Sequence, residues 1–396
     1  MKAMSNEKKI LHLSTGHLGG AGLAARRLNE ELNSVGLNSF FLAIANNSYN
    51  PGTREIALPR SRSERLRSKF ITVVNQNLSD KVLFSTFSLN LITENKLHSL
   101  GFNAENTLLH VHNWANLLSL RGIRKLTRAG YKVVFTLHDQ RMLTGGCHYS
   151  INCQKYELGC SGCPLIRKPL RIFPYYGYRK SKKQITSMRN SITFISPSIW
   201  LKRMAESSPL AADIKVNSLQ NVLGSHWITD LIEADQGAKY RNSKIVIGVA
   251  SMDPKNYVKG GDILNELQSI MRGEENNFEI LFLSTVGKSS SQVGEFWSKI
   301  DYLLVNSRID NSPNVIHEAK SLGIPVIATQ VGGIPELLSP ENDTLISEEN
   351  NTAQYLFKLL SGLPKGNKKV STGSINETRT IKSYIEFYKS QGFHSP

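Results

Sequence analysis

Apolar residues gather along this chain in short runs rich in β-branched side chains. KILHLST, NSFFLAI, TLLHV, KVVFTL and ITFIS occupy the first half, and KIVIGVA, FEILFL, DYLLVN and PVIAT follow beyond residue 243. Runs this short, with little polar alternation, read as strands buried on both faces, as in parallel sheets. Segments of helical spacing lie between them, so strand and helix alternate through both halves. The pattern predicts an α/β protein with two doubly wound, Rossmann-like domains facing across a cleft. The polar stretch GSHWITDLIEADQGAKYRNS is the expected connection, giving an N-terminal domain over 1–222 and a C-terminal domain over 223–375. Past the last strand signals, TRTIKSYIEFYKS predicts a helix within 376–396, placed to pack back onto the first domain.

Length and composition agree with two ordinary domains: 396 residues, of which 40% are hydrophobic. Neither disorder nor a fibre is expected. The opening MKAMSNEKKILHLSTG has no apolar signal core, and no uninterrupted apolar stretch approaches the roughly 20 residues that span a bilayer. The expected compartment is the cytoplasm, where thiols stay reduced.

Charge changes the picture more. A formal net charge of +16 calls for an anionic partner, whether nucleic acid, lipid headgroups or a phosphorylated small molecule. The excess is concentrated in RSRSERLRSKF (60–70) and RKPLRIFPYYGYRKSKKQ (167–184). The second stretch interleaves Phe173, Tyr175, Tyr176 and Tyr178 with its cations, a mixture suited to a membrane interface or to single-stranded nucleic acid. A solvated basic face is the plainer alternative.

Two segments carry phosphate chemistry. After the first strand, TGHLGGAGLAARRLNEEL supplies Gly16, Gly19, Gly20 and Gly22 for a tight turn, and a helix starting near Ala21 aims its amide N–H groups at an anion. The spacing does not match a dinucleotide fingerprint, and a glycine cluster here can also be a simple turn. More specific is NSRIDNSPNVIHEAKSLGIPVIATQVGGIPELL (306–338). Ser312 reads as N-cap, Pro313 as first helical residue and Gly323 as helix stop. Asp310 before that helix and Glu318 inside it flank the amides of Asn314 and Val315. Two acidic acceptors around an anion pocket suit a ligand with hydroxyls at both ends and phosphate between them, the layout of a nucleotide-sugar. A solvated acid pair is the alternative.

The four cysteines, Cys147, Cys153, Cys160 and Cys163, fall within twenty residues at C-x5-C-x6-C-x2-C. A terminal C-x2-C is a good metal half-site, and four thiolates close a tetrahedral Zn2+ shell. His148 could replace one of them. Disulfides would need an oxidising compartment, and a catalytic thiol needs one activated cysteine rather than four. Structural zinc is the expectation, with free thiols and disulfides as alternatives.

The stretch DNSPNVIHEAKSLGIPVIATQVGGIPE resembles the acidic signature of the retaining glycosyltransferases of family 4, which have the GT-B fold. HLSTGHLGGAG, LLHVHNW, FTLHD and FISPSIWL resemble further segments of that family. TGGCHY followed by three more cysteines is similar to its polysaccharide-assembly members of the colanic acid and O-antigen type. The resemblance implies that Glu318 binds the donor ribose and that Asp310 holds sugar hydroxyls near the reacting carbon. It implies that Lys259 of VKGG meets the diphosphate beside Asn314 and Val315, with Gly19 and Gly20 on the donor from the first domain. His138, at the end of KVVFTL, is expected to contact the donor sugar near the acceptor, whereas His112 has the simpler reading of a satisfied polar residue. The cysteines would then staple an acceptor loop.

Departures from the family pattern are informative. Asp310 replaces the usual Glu. The position of the family's diphosphate Arg reads Met252, Asp253 or Pro254, with Lys255 as a substitute. No D-x-D occurs, so no divalent metal is expected in catalysis. The expected partners are a UDP- or GDP-sugar, a lipid-linked or oligosaccharide acceptor and an anionic membrane surface at the inner face of the plasma membrane, with no nucleic acid. Rival readings are a GT-B sugar-nucleotide epimerase, a degenerate sugar-nucleotide-binding subunit and a basic zinc-containing nucleic-acid-binding protein.

Overall fold

All nine apolar runs form strands in a computed structural model that describes residues 7–45, 51, 52, 54–224, 244–251, 256–284, 290–365 and 373–393. Two units result: Met1–Gln220 together with Thr380–Pro396, and Asn221–Arg379. In the first, β1 (Lys9–Ser14), β2 (Ser39–Ile44), β3 (Glu55–Leu58), β4 (Thr107–Asn113), β5 (Lys132–Thr136), β6 (Ile192–Ser196) and β7 (Val216–Ser218) lie in the order β3-β2-β1-β4-β5-β6-β7. In the second, β8 (Ile245–Ser251), β9 (Phe278–Ser284), β10 (Tyr302–Val305), β11 (Val326–Thr329) and β12 (Thr344–Ile346) lie in the order β12-β11-β10-β8-β9. Every described ladder is parallel. Both strand orders reverse direction at the first strand of their unit, and crevices for ligands form at such switch points beyond the carboxyl ends of the strands.

Three strands escaped the apolar pattern: β3, β7 and β12. All are sheet edges, three or four residues long and paired on one side only. An edge strand of three or four residues is too short to leave a readable apolar run, whereas β9, also at an edge but seven residues long, left one.

The first unit is finished by the end of the chain. Helix Gly373–Ser390 carries the buried Tyr384 and Tyr388. The Tyr388 hydroxyl lies 2.6 Å from Nδ1 of His110 on β4, whose Nε2 lies 2.7 Å from Thr136 Oγ1 on β5. Lys132 adds a 3.0 Å bond to the Gln391 carbonyl. Tyr388→Phe strands a buried imidazole nitrogen, so it is expected to cost about 1–3 kcal/mol in denaturant unfolding of the full chain. An unchanged midpoint would show that this hydrogen bond contributes nothing.

Helix Arg62–Gln76 begins with a capping box, in which Ser61 Oγ accepts from the Glu64 amide and the Glu64 carboxylate accepts from the Ser61 amide. Its outer face exposes Leu66 (71%), Phe70 (68%) and Val73 (47%). Arg62, Arg65 and Lys69 are also exposed and share that face by helical spacing. The second basic stretch divides differently from expectation. Tyr176 is exposed on helix Phe173–Thr186, but Tyr178 is 5% accessible. A ring that fills the core cannot join an interfacial aromatic surface. No described helix is long and apolar enough to cross a membrane.

Candidate active site

In the second unit, β10 runs into the loop that bears Asp310, and this loop is held from two sides. Gly333 donates its amide to the Asp310 carbonyl at 3.0 Å. Gly332 sits at φ +58°, where a Cβ would lie 1.9 Å from the same oxygen, so the GG turn after β11 has no room for a side chain. Asn306 donates to the Gly260 carbonyl at 3.0 Å, and Arg308 pairs with Asp262 through contacts of 2.6 and 2.7 Å. The Arg308 guanidinium also bonds the Tyr257 carbonyl and lies 3.9 Å above the Tyr257 ring. These contacts dock the turn Tyr257–Lys259 against the end of β10. As a result the Lys259 ammonium forms an ion pair with the Asp310 carboxylate.

Helix Asn314–Ser321 follows, with Glu318 buried within it. Ser312 is not its N-cap. Pro313 takes that position with no side-chain acceptor, and Ser312 Oγ lies 3.0 Å from His317 Nε2 instead. The Asn314 carboxamide accepts from Asn221 Nδ2 at 2.9 Å. Lys259 and Asp310 thus pair in the same unit as a helix start with no side-chain cap, where backbone dipoles favour an anion, and Asn314, Val315 and Glu318 lie in that helix. Sequence reasoning passed over Asn221, Asn306 and Arg308. The last two lie in the quoted NSRID segment, but nothing in the sequence pairs them with residues some fifty positions earlier. Met252, Asp253, Pro254 and Lys255, the positions considered for a diphosphate cation, lie outside the described residues.

In the first unit, helix Gly19–Ser34 starts two residues before the expected Ala21, again with no side-chain cap, so Gly19 and Gly20 form its first turn. Gly22 is required by close approach, since a Cβ there would meet the Gly16 carbonyl at 2.3 Å. Beside it, histidines line one face of the sheet. His12 Nδ1 lies 3.0 Å from His112 Nε2, and His112 Nδ1 lies 3.1 Å from His138 Nε2. His112 is therefore a satisfied polar residue that also positions His138. Burial lowers His12 to about 3 and His138 to about 4, and holds His110 and His112 well below the ordinary imidazole range. Neutral imidazoles each carry one N–H, so the chain has only two polarities. His12 Nε2, at the inner end, is buried without a partner. A stranded N–H is rarer in proteins than a stranded acceptor, which favours the polarity that leaves His138 with its N–H on Nδ1.

Asp139 follows His138. Burial opposes its ionisation, but His148, the Arg141 amide and the Arg141 guanidinium outweigh burial and hold it below the usual carboxylate range. Its Oδ2 lies 2.6 Å from His148 Nδ1, and His148 Nε2 lies 2.7 Å from Ser85 Oγ. Both His148 nitrogens are thus committed away from the cysteines.

Cys147, Cys153, Cys160 and Cys163 are free of disulfides and line one small pocket with Phe84, Tyr156 and Pro174. The donor chemistry suits zinc. Among the described residues, the group of three such side chains with ligand atoms within 4.8 Å of one another is His12, His110 and His112. Burial raises the thiols of Cys147, Cys160 and Cys163, that of Cys160 to about 12.

Residues 243–363 match the family described as Glycosyl transferases group 1. The whole chain is similar to an Escherichia coli K12 protein described as a colanic acid biosynthesis glycosyl transferase, WcaC, with 26% identity covering 94% of this chain and 97% of that protein. Among solved structures, sucrose-phosphate synthase from Thermosynechococcus elongatus aligns with a TM-score of 0.62 at 12% identity, covering 97% of this chain and 99% of the other. Anabaena HepE in complex with UDP and glucose aligns with a TM-score of 0.52 at 15% identity, covering 98% and 96%. The fold is that of the GT-B glycosyltransferases.

Proposed function

We propose that this chain, whose residues 243–363 form a Glycosyl transferases group 1 domain, moves a sugar from a UDP- or GDP-sugar to a glycan acceptor. The setting is surface polysaccharide assembly, and the anomeric configuration is retained. The reading is carried by Lys259 and Asp310, paired in the loop region leading into the uncapped helix that bears Glu318. Likeness to WcaC and to a HepE structure holding UDP and glucose supports it.

In this mechanism, negative charge grows on the leaving diphosphate while the anomeric carbon becomes electron-poor. Lys259 and the amides at Asn314 and Val315 receive the phosphate charge. Glu318 accepts from the ribose hydroxyls, Asp310 accepts from the sugar hydroxyls, and His138 donates through Nδ1. A melting-temperature screen against UDP, GDP, ADP and CDP and their sugars tests the donor half, with stabilisation by one base expected. No stabilisation by any of them would sink the reading. Conversion of the sugar without acceptor would establish an epimerase instead.

The acceptor in this reading is lipid-linked, and helix Arg62–Gln76 meets an anionic bilayer. Support comes from its exposed Leu66, Phe70 and Val73 bordered by Arg62, Arg65 and Lys69. Each well-placed cation contributes about 1 kcal/mol at such a surface. Sedimentation with phosphatidylglycerol vesicles is expected to be salt-sensitive and to weaken at least about tenfold in a Leu66→Ser/Phe70→Ser variant. Equal sedimentation with neutral vesicles would remove this docking face. In this reading Cys147, Cys153, Cys160 and Cys163, which line one pocket, hold a structural zinc. Metal analysis giving well under one zinc per chain would dismiss it.

A further inference from the structure

Arg141 is the least compensated charge in the first unit's recess. Its residue is 6% accessible, and Nε and Nη1 are buried without a hydrogen-bond partner. The guanidinium lies flat against Trp114, 3.5 Å from the ring centroid, which fixes its position but leaves its donors unused. Asp139, the carboxylate beside it, is already engaged by His148 and by the Arg141 amide. Burial lowers the guanidinium to about 9, with Asp139 acting in the opposite sense. An unpaired buried cation is expensive, and folds keep one where something negative arrives.

The surroundings suit that arrival. Arg141, Trp114, Asn113, His138, Asp139 and His148 line one small recess at the carboxyl ends of β4 and β5. Asp139 is bonded on both oxygens, whereas Arg141 Nε and Nη1 are left open to an anion. Lys259, the cation assigned to the donor diphosphate, belongs to the other unit, so no cation of this recess is already assigned to a phosphate.

We propose that the recess is an oxyanion subsite: Arg141, stacked on Trp114, receives a phosphate or carboxylate group of the acceptor. The inference rests on the glycosyl-transfer reading for the word acceptor, but not for the anion site itself. The guanidinium pairs with two oxygens of either group, and the recess admits only a small head, so the glycan or lipid portion stays outside it.

Titration of the nucleotide-free protein with inorganic phosphate, methyl phosphate and glucuronate, followed by the Trp114 indole signal in NMR, tests the site directly. Saturable shifts are expected in wild type, at least tenfold weaker in Arg141→Gln and partly kept in Arg141→Lys. The lysine variant guards against a folding defect in the glutamine one, since it retains the charge. Stronger response to methyl phosphate assigns a phosphate-bearing acceptor, and stronger response to glucuronate an acidic sugar. Anion response equal in all three proteins, or none in wild type, overturns the proposal. Because this titration uses no donor, a protein that binds anions here but transfers no sugar would refute the function and leave the subsite standing. Transfer to neutral acceptors as efficient as to anionic ones, unchanged by Arg141→Gln, would refute the subsite and leave the function standing.

Discussion

Glu318→Ala should lower kcat/KM for sugar transfer by about 10²- to 10⁴-fold. A buried carboxylate that accepts from two ribose hydroxyls makes charge-assisted bonds of about 1.5–3 kcal/mol each, and every 1.4 kcal/mol is about tenfold. Glu318 lies in helix Asn314–Ser321 and is 6% accessible, so its oxygens are not free to exchange water for ligand at no cost. Weaker nucleotide affinity should accompany the loss, because ribose is bound in ground and transition states alike. The melting temperature of the ligand-free variant separates lost contacts from lost folding, and Glu318→Gln keeps the volume as a second control. Transfer at the wild-type rate in a folded Glu318→Ala protein would remove the donor-site assignment.

Asp310→Asn makes a less obvious prediction: two quantities should move in opposite directions. The carboxylate pairs with Lys259 in the ligand-free protein and thereby neutralises the cation assigned to the diphosphate. Removing the charge frees Lys259 and removes repulsion, so affinity for the bare nucleotide diphosphate should rise by up to about tenfold, or about 1.4 kcal/mol. Transfer should fall by about 10²-fold, because the sugar loses a charged acceptor near the reacting carbon. Lys259→Gln should lower both. Weaker nucleotide binding in Asp310→Asn would show that the pair is a structural brace and not a donor contact.

What the sequence revealed and hid follows from the range of each interaction. Interior strands such as β1, β8 and β10 announce themselves because both faces are buried, whereas β7, which reads only VNS, has one neighbour and a half-buried pattern. The acidic segment was legible because Asp310 and Glu318 are eight positions apart on one loop and helix. Its partner Lys259 was legible as a residue but not as a pair, since 51 positions separate them. Ser312 was misread because a serine beside a helix start looks like a cap, while Pro313 fixes the turn and His317 engages its hydroxyl. His110 and His112 do share a face by strand alternation, a signal present in TLLHVHN. Their meeting with His12 needed the β1–β4 register, in which His12 stands opposite His110. Arg141 carried no motif, and Trp114 was legible only as the end of LLHVHNW, not as its partner.

The return of Thr380–Pro396 to the first unit has a consequence for how the molecule is made. A ribosome adds about 5–20 residues per second. The first sheet therefore emerges long before Tyr388, which must wait roughly 10 to 30 s while Asn221–Arg379 is synthesised. Throughout that interval the His110 face of the sheet lacks its tyrosine cover, and His110 Nδ1 lacks the Tyr388 hydroxyl. The segment translated first is thus the one completed last. The nascent chain carries an open flank that chaperones can occupy, and that closes only when the tyrosine helix arrives.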